Sequence, residues 1–272
     1  MTHDRRLTPA TERVALESLR GVLERPEYTA GRPARLSAPV SDLLNVPEGR
    51  RDRQVIFGAD LTVIETRGGW AFVQTAQDGY CGWLPENVLG TGTSPITHRI
   101  TAPASHLYSA PDMKQPEFCG LSIGARLSVS GTEAGFAQLA TGGYIPLQHI
   151  GDKPSTDPVA TAESLLGTPY LWGGNSHAGL DCSGLVQIAL LNCGIPCPGD
   201  SDLQRQAFPK VTTIQRGDLL FWPGHVAMAI AADVMIHATA WKMAVIREGI
   251  QDAITRIEAS GDGPLLDIRR PG

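Results

Sequence analysis

The sequence predicts an α+β chain in which two small all-β barrels precede a larger mixed domain. Three observations carry this reading. From residue 36 to about 150, short alternating strands are divided by Gly-containing turns, and the pattern runs twice at roughly sixty residues per unit. A linker then follows, Gly151-Asp152-Lys153-Pro154-Ser155-Thr156-Asp157-Pro158, marked by two prolines and small polar residues. Beyond it, two apolar helical stretches come before a run of short apolar strands, the order of an α+β domain. The boundaries expected are 1–35 for an N-terminal segment that packs on a neighbour, 36–92 and 93–151 for the barrels, and 152–272 for the mixed domain.

In chain order, Val14-Ala15-Leu16, Leu19 and Val22-Leu23 suit a short helix or strand. The first barrel runs from Ala38-Pro39-Val40 through Gln54–Ile64 and Gly69–Gln74 to Gly79-Tyr80-Cys81-Gly82-Trp83-Leu84-Pro85. The second runs from Ala102-Pro103-Ala104 through Leu121–Val129 and Gly135–Leu139 to Gly143-Tyr144-Ile145-Pro146-Leu147. Past the linker, Asp157 or Thr156 can cap a helix that starts at Pro158 and reaches Leu166, where Gly167-Thr168-Pro169 stops it. A second helix carries Leu185, Val186, Ile188, Ala189, Leu190 and Leu191, stopped by Gly194 and Pro196. Residues 194–216 read as loop, with Pro196, Pro198 and Pro209. Strands are expected at Asp218–Trp222, His225–Ile230, Val234–Ala238 and Met243–Arg247.

At 272 residues the chain has room for two or three domains. Its 42% hydrophobic and 19% charged content is that of a globular protein, and its net charge of -5 gives nucleic-acid binding no support. The run Arg50-Arg51-Asp52-Arg53 is too short to change that. No apolar stretch follows the charged start Met1-Thr2-His3-Asp4-Arg5-Arg6, and none nears the roughly 20 residues that span a bilayer, so neither a secretory leader nor a membrane is expected. Five cysteines, an odd number, then point to free thiols in a reducing, cytoplasmic setting. Cys193 and Cys197 lack a second Cys or His pair at zinc-like spacing. With no phosphate loop, dinucleotide motif or metal cluster, no cofactor is expected, and the oligomeric state stays open.

The chemistry centres on Leu180-Asp181-Cys182-Ser183-Gly184. Here a polar loop ends and the second helix begins, which puts Cys182 in its first turn. The partial positive charge of a helix N-terminus biases a thiol towards thiolate, and its unpaired N–H groups can hold an oxyanion. A nucleophile also needs a base. His225 and His237 sit far downstream in short strand-like runs, which suits His225 as base and His237 as its orienting partner. Each residue taken alone reads as buried structure; together and in this order they read as catalytic.

Residues 158–272 resemble the NlpC-type cell-wall cysteine peptidases, a papain-like superfamily. The pieces that carry the likeness are Gly167-Thr168-Pro169-Tyr170-Leu171-Trp172-Gly173-Gly174, Leu180–Val186, Arg216-Gly217-Asp218-Leu219-Leu220-Phe221-Trp222, His225-Val226-Ala227-Met228 and Met235-Ile236-His237-Ala238. The first barrel resembles bacterial SH3-type domains at Asp78–Trp83; the second is degenerate and lacks the Gly-Trp. The resemblance implies a nucleophile at Cys182, a base at His225 and a third polar residue at His237. It implies an amine-binding carboxylate at Asp181, substrate contacts at Ser183, Ser201 and Tyr170, and two residues of the first barrel, Tyr80 and Glu48, that reach the amine pocket. The branch with this arrangement cleaves between γ-D-glutamate and a diamino acid, meso-diaminopimelate or L-lysine, in peptidoglycan stem peptides with a free N-terminal L-alanine. The implied partners are such peptides, and the implied setting is recycling of wall fragments. One departure is the short Pro223-Gly224 connection into His225, which bears on cleft depth. Two other readings compete: a non-catalytic wall-peptide-binding protein, against which the intact Cys182, His225 and His237 weigh, and an amidase or acyltransferase acting on another free-amine substrate.

Overall fold

A computed structural model describes residues 3–91 and 94–272. The expected boundary between the barrels, 92/93, lies outside the described residues. The chain divides into two compact units, Met1–Asp152 and Lys153–Gly272.

In the first unit, strands Arg51–Ile56, Val40–Leu44, Cys81–Pro85, Trp70–Thr75, Asp60–Arg67, Arg32–Leu36 and Leu89–Gly90 form one sheet in that spatial order. Alternation drives it inward on one side: Leu36, Leu43, Val55, Leu61, Val63, Val73, Tyr80 and Leu84 make a closed core. The second barrel divides its strands between a five-stranded and a three-stranded sheet, with a core of Ile100, Leu121, Leu127, Leu139 and Ile145. Both end alike. Pro85 leads into a 3₁₀ turn, Glu86–Val88, and then Leu89–Gly90; Pro146 leads into Leu147–His149 and then Ile150–Gly151. The barrels are joined at Asp60, which accepts from Arg35 at 2.9 Å and from Arg126 at 2.6 Å. Val14–Leu16 is a strand, parallel to Glu27–Thr29, and Val14 packs on Ile64, Phe72, Cys81 and Trp83 of the first barrel.

The second unit holds helices α1 (Pro158–Glu163), α2 (Cys182–Asn192), α3 (Ser201–Ala207) and α4 (Ile250–Ala259) around a six-stranded sheet. The spatial order of its strands is Lys210–Val211, Asp267–Arg269, Leu219–Trp222, His225–Ala229, Val234–Thr239 and Ala244–Gly249. Leu220, Trp222, Ala227, Ala229 and Met235 pack against Ile250, Ala253 and Ile257 of α4. Helix α2 packs on the strands of His225 and His237 and is buried nearly all round, so its composition is apolar rather than amphipathic. Asp157 caps α1 by accepting from the Val159 and Ala160 N–H groups.

The expected elements are corrected in three places. Helix α1 ends at Glu163, three residues before Leu166. The expected loop 194–216 contains α3: Ser201-Asp202-Leu203-Gln204-Arg205-Gln206-Ala207 has no Gly or Pro, and its fully buried Gln204 anchors it from within. Asp267, also buried, pairs with Arg205 of α3, with Lys210 at 2.7 Å and with Arg269 at 3.2 Å, which ties that helix to the sheet edge. Helix α4 and the strand Asp267–Arg269 are additions to the expected elements. The apolar positions of α4 are spaced for a helix face, at Ile250, Ala253 and Ile257, between polar residues.

Candidate active site

The nucleophile candidate owes its place to close backbone packing. Helix α2 starts at Cys182, with Asp181 as N-cap: Asp181 Oδ1 accepts from the Gly184 N–H at 2.7 Å and from the Ser183 hydroxyl at 3.0 Å. Its Oδ2 accepts from the Gly173 N–H at 2.9 Å, which draws the 171–174 turn onto the helix. The contact leaves no room for a side chain, since a Cβ on Gly184 would sit 2.3 Å from the Gly174 carbonyl oxygen. The two glycines of Trp172-Gly173-Gly174 and that of Cys182-Ser183-Gly184 thus fix how the helix start meets the loop.

Cys182 is buried, and its sulfur lies 4.0 Å from the Gly224 carbonyl oxygen and takes a hydrogen bond from the Val226 N–H. Those residues flank His225, so the thiol rests on the backbone either side of the candidate base. Burial, and after it the negative charge of Asp181, push the Cys182 thiol up to about 12, against the backbone N–H groups of Val226, Ser183 and Cys182 itself. The thiolate bias expected of a helix N-terminus is therefore overridden: desolvation and a neighbouring carboxylate outweigh the helix-end field.

The two histidines meet. His225 Nε2 lies 2.9 Å from His237 Nδ1, the rings nearly perpendicular with centroids 5.1 Å apart. The strand register explains this. Met228 pairs with Ile236 and Ala229 with Met235, so His225 and His237 fall on one face of adjacent strands as diagonal neighbours. Trp222, opposite His225 across the Pro223-Gly224 turn, holds its ring 5.8 Å from the imidazole. Burial lowers both histidines, His225 to about 3 with His237 and Arg256 adding to the effect, and His237 to about 4 with Arg256 adding. At neutral pH the site thus holds a thiol and two neutral imidazoles. His237 is fully buried, and its Nε2 lies 3.1 Å from Glu248 Oε2. Arg256 of α4 grips that carboxylate with two hydrogen bonds, 2.9 and 2.8 Å.

Tyr170 is placed by its N–H, which donates to the Met243 carbonyl at 2.9 Å, and by a parallel bridge to Leu180. Its phenol is raised above the ordinary tyrosine range, first by burial and then by the charges of Cys182 and Asp181, so it stays a hydrogen-bond donor beside them. Ser201 opens α3 and is half-buried. That helix is locked to the nucleophile helix by Gln204, whose Nε2 donates to the Ser183 carbonyl at 2.9 Å and to the Pro198 carbonyl at 3.1 Å. The second unit therefore brings Cys182, His225 and His237 together, with Asp181, Ser183 and Tyr170 around the thiol. Tyr80 and Glu48 belong to the first unit. Tyr80 is 1% exposed and packs within the core of its own barrel, with the Arg53 guanidinium 5.1 Å from its ring centre. Glu48 is exposed, on a turn where its φ is 58°.

Sequence reasoning missed Glu248, Arg256 and Gln204. The signal for Glu248 is one of register: it pairs with Met235, two positions from His237 and on the same face. It becomes readable only once the two strands are aligned. Among the described residues no disulfide joins any of the five cysteines, and no group of three or more His, Cys, Asp or Glu is placed to hold a metal ion. No helix of the described residues is long and apolar enough to cross a membrane.

Residues 167–256 match the NlpC/P60 family, and residues 43–89 match the bacterial dipeptidyl-peptidase SH3 domain. The chain is 30% identical over 215 residues to dipeptidyl-peptidase 6 of Lysinibacillus sphaericus, an alignment covering 68% of this chain and 79% of that one. It is 28% identical over 222 residues to a gamma-D-glutamyl-L-lysine dipeptidyl-peptidase of Bacillus cereus, covering 69% and 67%. In fold it resembles the crystal structure of an NlpC/P60 family protein from Bacillus cereus, with a TM-score of 0.75 at 22% identity, over 88% of this chain and 99% of that one.

Proposed function

This chain belongs to the NlpC/P60 family of cysteine peptidases, and from that premise we propose that it hydrolyses the bond between γ-D-glutamate and a diamino acid in peptidoglycan stem peptides with a free N-terminal L-alanine. The observation that carries the reading is the Cys182 thiol against the backbone that flanks His225, and His225 against His237, with the Asp181 carboxylate one residue before the thiol. A carboxylate that close to a nucleophile opposes thiolate formation, and it suits a substrate that brings a cation. The gamma-D-glutamyl-L-lysine dipeptidyl-peptidases among the relatives supply the bond type, and a free alanine amine supplies the cation.

The chemistry follows from the groups present. The Cys182 sulfur attacks the γ-carbonyl carbon of D-glutamate while its proton passes to His225 Nδ1, the ring nitrogen that His237 leaves open. The carbonyl oxygen becomes an oxyanion held by the Cys182 N–H at the helix start. The C–N bond then breaks, and the imidazolium of His225 gives its proton to the departing amine of the diamino acid. A thioester of L-Ala-γ-D-Glu remains on Cys182. Water, losing a proton to His225, attacks that thioester; the acid leaves and the proton returns to the sulfur. His237 Nδ1 accepts from His225 Nε2–H throughout, supporting the imidazolium without adding a negative charge. Ser183, Ser201 and Tyr170 serve as substrate contacts in this reading.

In intact wall the alanine amine is acylated by the glycan. A demand for the free amine therefore selects released fragments, and the setting we propose is their recycling in the cytoplasm. The test is a mass-spectrometric digest of L-Ala-γ-D-Glu-meso-diaminopimelate, its L-lysine counterpart and the N-acetylated form of each. Release of L-Ala-γ-D-Glu from free-amine peptides alone is the expected result. Equal cleavage of the acetylated forms removes the amine requirement, and cleavage of none overturns the assignment.

A further inference from the structure

Behind the two histidines lies a charged pair that the reaction above does not use. His237 is fully buried; one ring nitrogen, Nδ1, meets His225, and the other, Nε2, faces Glu248 Oε2 at 3.1 Å without making an aligned hydrogen bond. The Glu248 carboxylate is held from the far side by both arms of the Arg256 guanidinium. Arg256 is in turn braced by the Trp241 ring, 4.2 Å from its centre. His225, His237 and Glu248 lie on one face of three adjacent strands, and α4 carries Arg256 onto that face.

We propose that Glu248, clamped by Arg256, is a positioning residue that sets the tautomers of both histidines and so leaves His225 Nδ1 bare to receive the Cys182 proton. Two proton arrangements compete. A 2.9 Å contact between two neutral imidazoles holds one proton, on one side or the other. If His237 carried it on Nδ1, its Nε2 would present a bare lone pair to a carboxylate in a dry site, a repulsive contact. His225 would then carry its own proton on Nδ1, on the side of Cys182, and could not act as a base. With the proton on His237 Nε2 the contact with Glu248 becomes attractive. His237 Nδ1 is then an acceptor, His225 Nε2–H the donor, and His225 Nδ1 the open base. A carboxylate that reaches the thiol only through two imidazoles thus decides whether the site can start.

Arg256 completes the device. A lone carboxylate beside His237 would favour a charged imidazolium, which has no acceptor nitrogen for His225. The positive charge of Arg256 opposes this and helps to keep His237 neutral. Once His225 has taken the thiol proton, Glu248 favours the resulting cation, as does Asp262, while Arg256 opposes it. The sequence marks Glu248 and Arg256 only as two surface-type charges at the junction of the last long strand and α4.

The proposal rests on His225 as the base, and its test is separable from the substrate assignment. Ring nitrogens of the full chain, labelled with ¹⁵N-histidine, are read by NMR at pH 7 with no substrate present. Nε2–H on both His225 and His237 is the expected result, and protonation of His237 at Nδ1 overturns the proposal without any variant. Glu248→Gln keeps the size of the side chain but can both donate and accept, so it no longer selects a tautomer. It is expected to give mixed tautomers, to lower kcat by roughly tenfold to a hundredfold with KM unchanged, and to slow iodoacetamide capture of Cys182. Glu248→Asp is expected to restore part of the rate. Unaltered tautomers and kcat in a folded Glu248→Gln protein refute the proposal, as does a loss that falls on KM. If the peptides named above prove not to be substrates, the alkylation and NMR readouts still decide it.

Discussion

Asp181 does two opposed things at once. It caps α2 through the Gly184 N–H, and its charge helps to raise the thiol of the next residue to about 12. A cation bound at Asp181 would cancel the second effect and spare the first, so substrate binding would itself release the nucleophile. Asp181→Asn separates the two. The amide oxygen can still accept from Gly184, while the negative charge is gone, so the Cys182 pKa falls. Its reaction with iodoacetamide, followed as rate against pH, is expected to rise at lower pH than in the parent, because a thiol whose pKa falls by one carries about ten times more thiolate at a given pH. The same variant is expected to lose affinity for free-amine peptides, with KM raised about tenfold, a loss of about 1.4 kcal/mol. An unmoved alkylation profile would remove Asp181 from the electrostatics of the site, and an unmoved KM would remove it from amine binding.

At the scale of elements, the site is a junction between one helix start and a pair of strands. The glycine at 184 lets the loop touch the helix, and the register of two strand pairs lines up His225, His237 and Glu248. Gly184→Ala tests the first of these. Alanine favours a helix by up to about 1 kcal/mol over glycine. Here its Cβ would stand 2.3 Å from a backbone oxygen, and overpacking of that kind costs about 1–3 kcal/mol. A lower melting temperature is expected, together with a fall in kcat of at least about tenfold as Cys182 is displaced. A higher melting temperature with kcat intact would mean that the loop yields freely. The junction is partly legible in the sequence. The capping Asp181, the helix from Cys182 and the strands of both histidines follow from local pattern, because caps, apolar runs and turns are written within a few residues. Helix α3 is not, since its seven residues are mostly polar and its one anchor, Gln204, is buried by contacts distant in sequence. Glu248 and Arg256 are hidden for a related reason: their partners are set by strand register and by how α4 lies on the sheet.

Over the whole molecule, the papain-like α+β unit and the all-β half before it are legible from repeated strands, the proline-marked linker and five short motifs in one order. The repeated ending of the barrels, proline then a 3₁₀ turn then a short strand, is the same physical solution used twice. Less legible is the balance of charge in the site. Local rules put a thiolate at a helix start, whereas burial of the whole site sets a thiol beside two neutral imidazoles at rest. In the proposed reaction Cys182 becomes acylated, and that step can be trapped. The most direct measurement is acid quenching of the enzyme during turnover of L-Ala-γ-D-Glu-meso-diaminopimelate, followed by intact-mass analysis and peptide mapping. An L-Ala-γ-D-Glu thioester confined to the peptide that holds Cys182 is the expected result, with neither adduct nor product from Cys182→Ala. Steady release of product without such an adduct, by a Cys182→Ala protein that still turns over, would contradict it.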